Sequence, residues 1–155
     1  MLKPKSLRSA LEQAAPVLRN NPDMLRVFID NGTIATTLAA SLSLEHQYTL
    51  NLIVTDWCGE LDLLIVPMNA WLRENQPDIM TTDEGKQQGF SYFADLNNND
   101  SIDISFSLRL TERVVVTQID QALHINHLDE PPLPMAAERP TDLYINGELM
   151  SQWDE

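Results

Sequence analysis

Residues 41–56 read SLSLEHQYTLNLIVTD. Leu42, Leu44, Tyr48, Leu50, Leu52 and Val54 hold the even positions, broken only by His46, and Ser41, Ser43, Glu45, Gln47, Thr49 and Asn51 hold the odd ones. Side chains alternate between the faces of a strand, so this period gives one apolar and one polar face, as in a half-buried antiparallel strand. The run is about twice the usual strand length of ~5–6 residues. Such a strand outruns the core of a small domain. It curves round a barrel, bends at a bulge, or projects to pair with another copy. Gln47 and Asn51, on its polar face, are therefore interface candidates.

Working outward, Leu7, Leu11, Ala14 and Leu18 form one apolar helical stripe. Ser6 is a fair N-cap. Pro16 removes a backbone donor and predicts a kink or an early end. Asn21-Pro22 then suits a short turn, with Asn as the cap. Leu25 to Asp30 reads as a strand. Asn31-Gly32 suits a tight hairpin, with Ile34 to Leu38 as the return strand.

Beyond the long strand, Leu61, Leu64, Ile65, Met68, Trp71 and Leu72 switch to helical period. Pro77 follows the end, while Pro67 demands either a later start or a bend. Residues 78–88 read as polar turn. Phe90 to Leu96 and Ile102 to Leu110 alternate about an Asn97–Asp100 tip, like a hairpin. Val114 to Val116 and Leu123 to His127 are further strand candidates. Helix, strands, helix, strands predicts an α+β fold. We expect a mostly antiparallel sheet with long strands, packed against one or two helices.

After Leu128 the character changes. The stretch DEPPLPMAAERP holds Pro131, Pro132, Pro134 and Pro140 and should be extended. LYINGELM offers a small hairpin about Asn146-Gly147. We divide the chain into a core over residues 1–128 and a Pro-rich, acidic C-terminal arm over 129–155. The arm is either a packed, irregular C-terminus or a strap lying on a neighbouring subunit. The second reading makes Leu143, Tyr144, Ile145 and Trp153 interface anchors, with the arm's acids meeting Lys3, Lys5 and Arg8 of a neighbour.

Catalytic signals are scarce. Asp95, Asn97 and Asn99 sit at the first three odd positions of an EF-hand-like loop, but Asp100 stands where Gly is needed and Phe106 where a bidentate Glu is needed. His124 and His127 are three apart, so on a strand they point to opposite faces and make a poor metal pair. His46 reads as a core or interface histidine. Cys58, the one cysteine, has no Lys or Arg nearby in sequence and reads as a buried structural thiol. Trp57 and Trp71 read as core. No GxSxG, Walker, GxGxxG or HExxH pattern occurs. The expectation is no catalytic residue, no metal site, no cofactor and no enzymatic activity.

The 155 residues, with 43% hydrophobic content, suit one domain with a proper core. No run approaches the ~18 apolar residues of a membrane span, and the start lacks the apolar stretch of a secretory signal. A single cysteine fits a reducing compartment. The net charge of −13 argues against broad phosphate-backbone binding, and no sequence-specific nucleic-acid contact is expected. It leaves open DNA passing through an acidic ring.

The stretches MLKPKSLRSAL, LRVFIDNGTIATTLAASLSLEHQYTLNLIVTD, LLIVPMNAWLRENQPDI, LTERVVVTQ and HLDEPP together resemble the tail completion protein R family of contractile-tailed temperate phages. The resemblance spans residues 1 to about 133 and carries no catalytic residue with it. It implies a virion assembly protein of the tail's head-proximal end, assembled in the host cytoplasm. Tail terminators generally cap the tube as a ring, usually of six copies. The implied partners are other copies, tail tube or sheath proteins, and the head connector or a second completion protein. Two other classes stay open. One is a monomeric binding module or assembly chaperone, which would remain monomeric when pure. The other is a small enzyme whose site forms between subunits, which an activity screen of separated ring and monomer would reveal.

Overall fold

A computed structural model describes residues 1–131 and 140–153. The long strand, β2 (Leu44–Trp57), lies at the centre of a five-stranded antiparallel sheet. Tyr48, Leu50, Leu52, Val54 and Trp57 are buried, as the even-position pattern requires; Leu42 lies before the strand and is exposed. Beside it runs β4 (Ile102–Ile119), which buries Ile104, Phe106, Leu108, Leu110, Glu112 and Val114 on the same face. The two stretches read separately as 102–110 and 114–116 are thus one 18-residue strand. Its partner on the far side of β2 is β1 (Leu25–Thr36). The remaining strands, β3 (Phe90–Leu96) and β5 (Ala122–Leu128), both pair with β4.

β1 corrects the expected Asn31-Gly32 hairpin. The chain does not turn back there. It continues along β2, with Asp30 opposite Thr49 and Thr33 opposite Gln47. Two residues thus face the single Tyr48, which is a β-bulge. A two-residue primed hairpin needs positive φ at both central residues, whereas here Asn31 has φ 52° and Gly32 is not in that region. The extra residue changes the phase of the strand. Leu25, Val27 and Ile29 face the core side before it, and Ile34 and Thr36 after it.

Two main helices cover the even-residue face. α1 (Lys3–Ala14) buries Leu7, Leu11 and Ala14, and ends where Pro16 begins the short α2 (Pro16–Asn20) with Leu18 buried. Ser6 is not the cap. It lies inside α1, and its Oγ accepts the Trp71 indole N–H at 2.9 Å. Asn21 likewise caps nothing; its side-chain amide donates to the Val17 carbonyl. A 3₁₀ turn, Pro22–Met24, leads into β1.

α3 (Asp62–Asn75) buries Leu64, Pro67, Met68, Trp71 and Leu72. Pro67 forfeits one helical hydrogen bond, yet the helix runs through it, because tertiary burial of the flanking residues outweighs the loss. Each fully buried Leu contributes about 1.5–3 kcal/mol. The polar 78–89 segment is more ordered than its composition suggests. It forms α4 (Asp78–Thr81) and a π-turn, Gly85–Gly89. A Cβ on Gly85 would lie 2.6 Å from the Asp78 carbonyl oxygen, so only glycine lets the segment double back so tightly.

The C-terminal hairpin, β6 (Asp142–Ile145) and β7 (Glu148–Gln152), turns at Asn146-Gly147 with φ 50° and 84°, as that dipeptide predicts. It lies on this chain's own helix layer: the Ser151 hydroxyl donates to the Ala14 carbonyl, and Leu143 is buried. The run from Pro132 to Arg139, expected to be extended, falls outside the described residues.

Candidate docking face

The helices and core lie on one side of the sheet, and the odd-residue side is left open. Register places Phe28, Asn51, Ser107 and Ser91 in one row across it, and Arg26, Ile53, Ser105 and Phe93 in the next. Asn51 Oδ1 accepts the Ser107 hydroxyl at 2.9 Å, and the Arg26 guanidinium lies 5.4 Å from the centre of the Phe28 ring. Small hydroxyl and amide side chains fill the row through Asn51 and Ser107, with Ile53 in the row on one side and Arg109 in the row on the other. Phe93, 67% exposed, and Phe28 are apolar markers near its edges. Gln47 is exposed on this face and Asn51 is half-buried, as their odd positions require.

At one end the open face deepens into a cleft of about 490 Å³. Gln47, Thr49 and Arg109 line it from the sheet, Asn31 from the bulge, and Thr82 and Glu84 from the 78–89 segment. Arg109 donates to Glu84 at 2.8 Å, an exposed pair worth at most ~1 kcal/mol.

That segment sits where β4 would otherwise have an open edge. β3 pairs with residues 102–108 and β5 with residues 113–119, both on the edge away from β2. Residues 109–112 are left between them. Gln76 substitutes for a strand there: its Oε1 accepts the Thr111 N–H at 3.0 Å and its Nε2 donates to the Thr111 hydroxyl. Lys3 Nζ completes the match, donating to the Thr111 carbonyl at 2.6 Å, to Gln76 Oε1 and to Glu130 Oε1. Lys3 is buried and ion-paired within its own chain, and Arg8 pairs with Glu12, so these two cations serve intramolecular contacts.

Glu112 is the residue that sequence reasoning missed. It is a carboxylate at a core-face position, following Leu108 and Leu110 in the alternation, and that was the legible signal. Its Oε1 accepts the Leu2 N–H at 2.6 Å and the Lys3 N–H at 3.2 Å, so a strand side chain caps α1. Its Oε2 accepts the Tyr48 hydroxyl at 2.7 Å. Burial pushes the carboxyl up. The Tyr48 hydrogen bond, the two backbone donors and the N-terminal charge outweigh it and hold Glu112 below the usual range. Burial first, and then the Glu112 carboxylate, push the Tyr48 phenol well above its ordinary value.

The other singled-out groups do not converge. Asn97, Asn99, Ser101 and Asp103 hydrogen-bond to one another and close the Asn97–Asp100 tip. His124 and His127 are exposed on β5, and His46 is half-buried on β2. Cys58 is exposed, not buried; it follows the strand end at Trp57, and its Sγ lies 3.6 Å from the Asp56 carbonyl. Trp57 and Trp71 are core. Among the described residues no three His, Cys, Asp or Glu side chains come together as a metal site would require, and no helix is long and apolar enough to cross a membrane.

Of the C-terminal candidates, Tyr144 is exposed, Ile145 and Trp153 are half-exposed, and Leu143 is buried. Leu143 is therefore not available as an anchor for a neighbour in this arrangement. Trp153 lines a small hollow with Ala10, Ala14, Pro67 and Trp71 of α1 and α3.

The chain is similar over residues 1–131 to a family described as P2 phage tail completion protein R (GpR). It is also 65% identical, over 155 residues and the whole of both chains, to the tail completion protein R of Escherichia phage P2. No solved structure matches.

Proposed function

The chain belongs to the P2 phage tail completion protein R family, and from that premise we propose that it caps the finished tail tube as a closed ring. Six copies sit at the head-proximal end and make the tail competent to join the head. The role is structural, with no chemical step. Its partners are its own copies, the tail tube or sheath proteins, and the head connector or a second completion protein. Assembly takes place in the host cytoplasm, and the protein stays in the virion tail.

One observation carries this reading beyond the family: a five-stranded sheet with core on one face and an open face on the other, whose row through Asn51 and Ser107 is uncharged. Antiparallel sheets commonly leave one face to water, but this one also exposes Phe93 and Phe28, apolar side chains of the kind that suit docking. Ring closure needs a heterologous contact, in which the open face of one copy meets a different surface of the next. Gln47 and Asn51 are the proposed contacts on the open face. Tyr144, Ile145 and Trp153 of the C-terminal hairpin are proposed contacts to a neighbour or to the tail. The test is complementation of a phage lacking this protein with wild type, Gln47→Trp or Asn51→Trp. Wild type should restore tails that join heads. The variants should fold, yet leave tails without heads. Full rescue by both would remove the open face from the interface.

A further inference from the structure

We propose that the free protein pairs with a second copy of itself, edge to edge through β5, in an antiparallel two-fold arrangement centred on Ile125. The sheet extends past the helices as a paddle, made of residues 33–46 and 113–128. Beyond Val114, which is still buried, the core-side face continues without cover: Ile34, Leu123 and Ile125 are all exposed. Ile125 lies opposite Val116, and His127 opposite Val114, so these residues extend the buried rows of the core.

The paddle is nearly neutral. Glu45, Arg113 and Asp120 are its charged residues, a net of −1 (two acids, one base) against −13 for the chain. Two copies repel over most of their surface, and the paddle is where they can meet without that cost.

β5 is also an unguarded edge. Native sheets protect edges with charge, proline or a bulge. β1 has a bulge, with Asp30 beside it and Arg26 earlier on the same edge. β5 reads ALHINHL, with no charge, no proline and no break in register, and all seven of its residues are exposed. An exposed edge of this kind takes an extended strand.

A second β5 is suited to it. Antiparallel pairing about Ile125 sets Ile125 beside its own copy, Leu123 beside His127, Ala122 beside Leu128 and His124 beside Asn126. No charged side chain faces another, and the apolar row runs unbroken from one copy to the next. The strand directions also keep the helix layers apart. Leu128 lies beside Arg113, toward the helices, and Ala122 beside Ile119, away from them. The two-fold therefore sends the two helix layers to opposite ends. This pair concerns the free protein and stands apart from the ring.

The test combines light scattering on the purified chain with disulfide trapping. Wild type should be a dimer at tens of micromolar and dissociate on dilution. Ile125→Asp should be monomeric with an unchanged melting temperature, since the side chain is 64% exposed. Residues directly opposed in an antiparallel pair have Cα atoms ~4.5–5.5 Å apart, within disulfide reach. Ile125→Cys in a Cys58→Ser background should therefore oxidise to a covalent dimer, and Gln118→Cys in the same background should not. Wild type that stays monomeric, oligomers that survive Ile125→Asp, or equal trapping at both positions would each overturn the proposal.

Discussion

At the scale of single residues, the most consequential side chain is Glu112. It holds the start of α1 to the sheet through two backbone donors and ties in Tyr48. Glu112→Gln keeps the shape but removes the charge, and should cost about 1–3 kcal/mol by denaturant melting. Its pH dependence follows from the depressed carboxyl. The stabilisation is complete above the ordinary glutamate range and is lost as pH falls through the lower folded value. The stability gap between wild type and Glu112→Gln should therefore narrow below about pH 4. A constant gap from pH 7 to pH 3 would contradict this assignment. Cys58 gives a second check, since an exposed thiol should react with a maleimide in the native chain as fast as in denaturant. Strong native protection would contradict its placement.

At the scale of elements, the bulge in β1 is the instructive case. Asn31 sits at φ 52°, where a β-branched residue is strained, so Asn31→Val should destabilise by about 1–3 kcal/mol while Asn31→Gly should not. Equal stability of the two variants would argue against the bulge.

The same dipeptide shows where the sequence was legible and where it was not. The face of β2 was readable from Tyr48, Leu50, Leu52 and Val54, because period-2 alternation maps directly onto burial. Asn31-Gly32 was not, because positive φ serves a hairpin and a bulge alike, and only long-range pairing with β2 chooses. The contacts of Glu112, Lys3 and Gln76 are also long-range, and no local pattern encodes them. Cys58 was misjudged for a related reason: its neighbour Trp57 is buried, and the side chain after it points elsewhere.

The C-terminal hairpin belongs to this scale too. Ser151 holds it on α1 of its own chain, and its Leu143 is buried. Truncation after Pro131 keeps the Lys3–Glu130 pair at 3.0 Å. The truncated chain should fold and melt a few degrees lower, since ~1 kcal/mol shifts a domain of this size by about 2–4 °C. A chain that fails to fold would make the hairpin part of the core.

At the scale of the whole molecule, the design is a one-sided sheet: helices and core on one face, an open face on the other, and an apolar paddle beyond the helices. The helix-covered face accounts for stability, and the bare surfaces are available for assembly. Aromatic replacements at Gln47 or Asn51 should leave the melting temperature within a few degrees of wild type yet abolish capping. That separates a docking face from a folding defect. The direct measurement is electron cryo-microscopy of tails completed with the purified protein. The account predicts a six-fold ring of this chain at the head-proximal end of the tube, with the open sheet face against a neighbour. Tails that join heads without such a ring, or with the chain bound as isolated single copies, would contradict it.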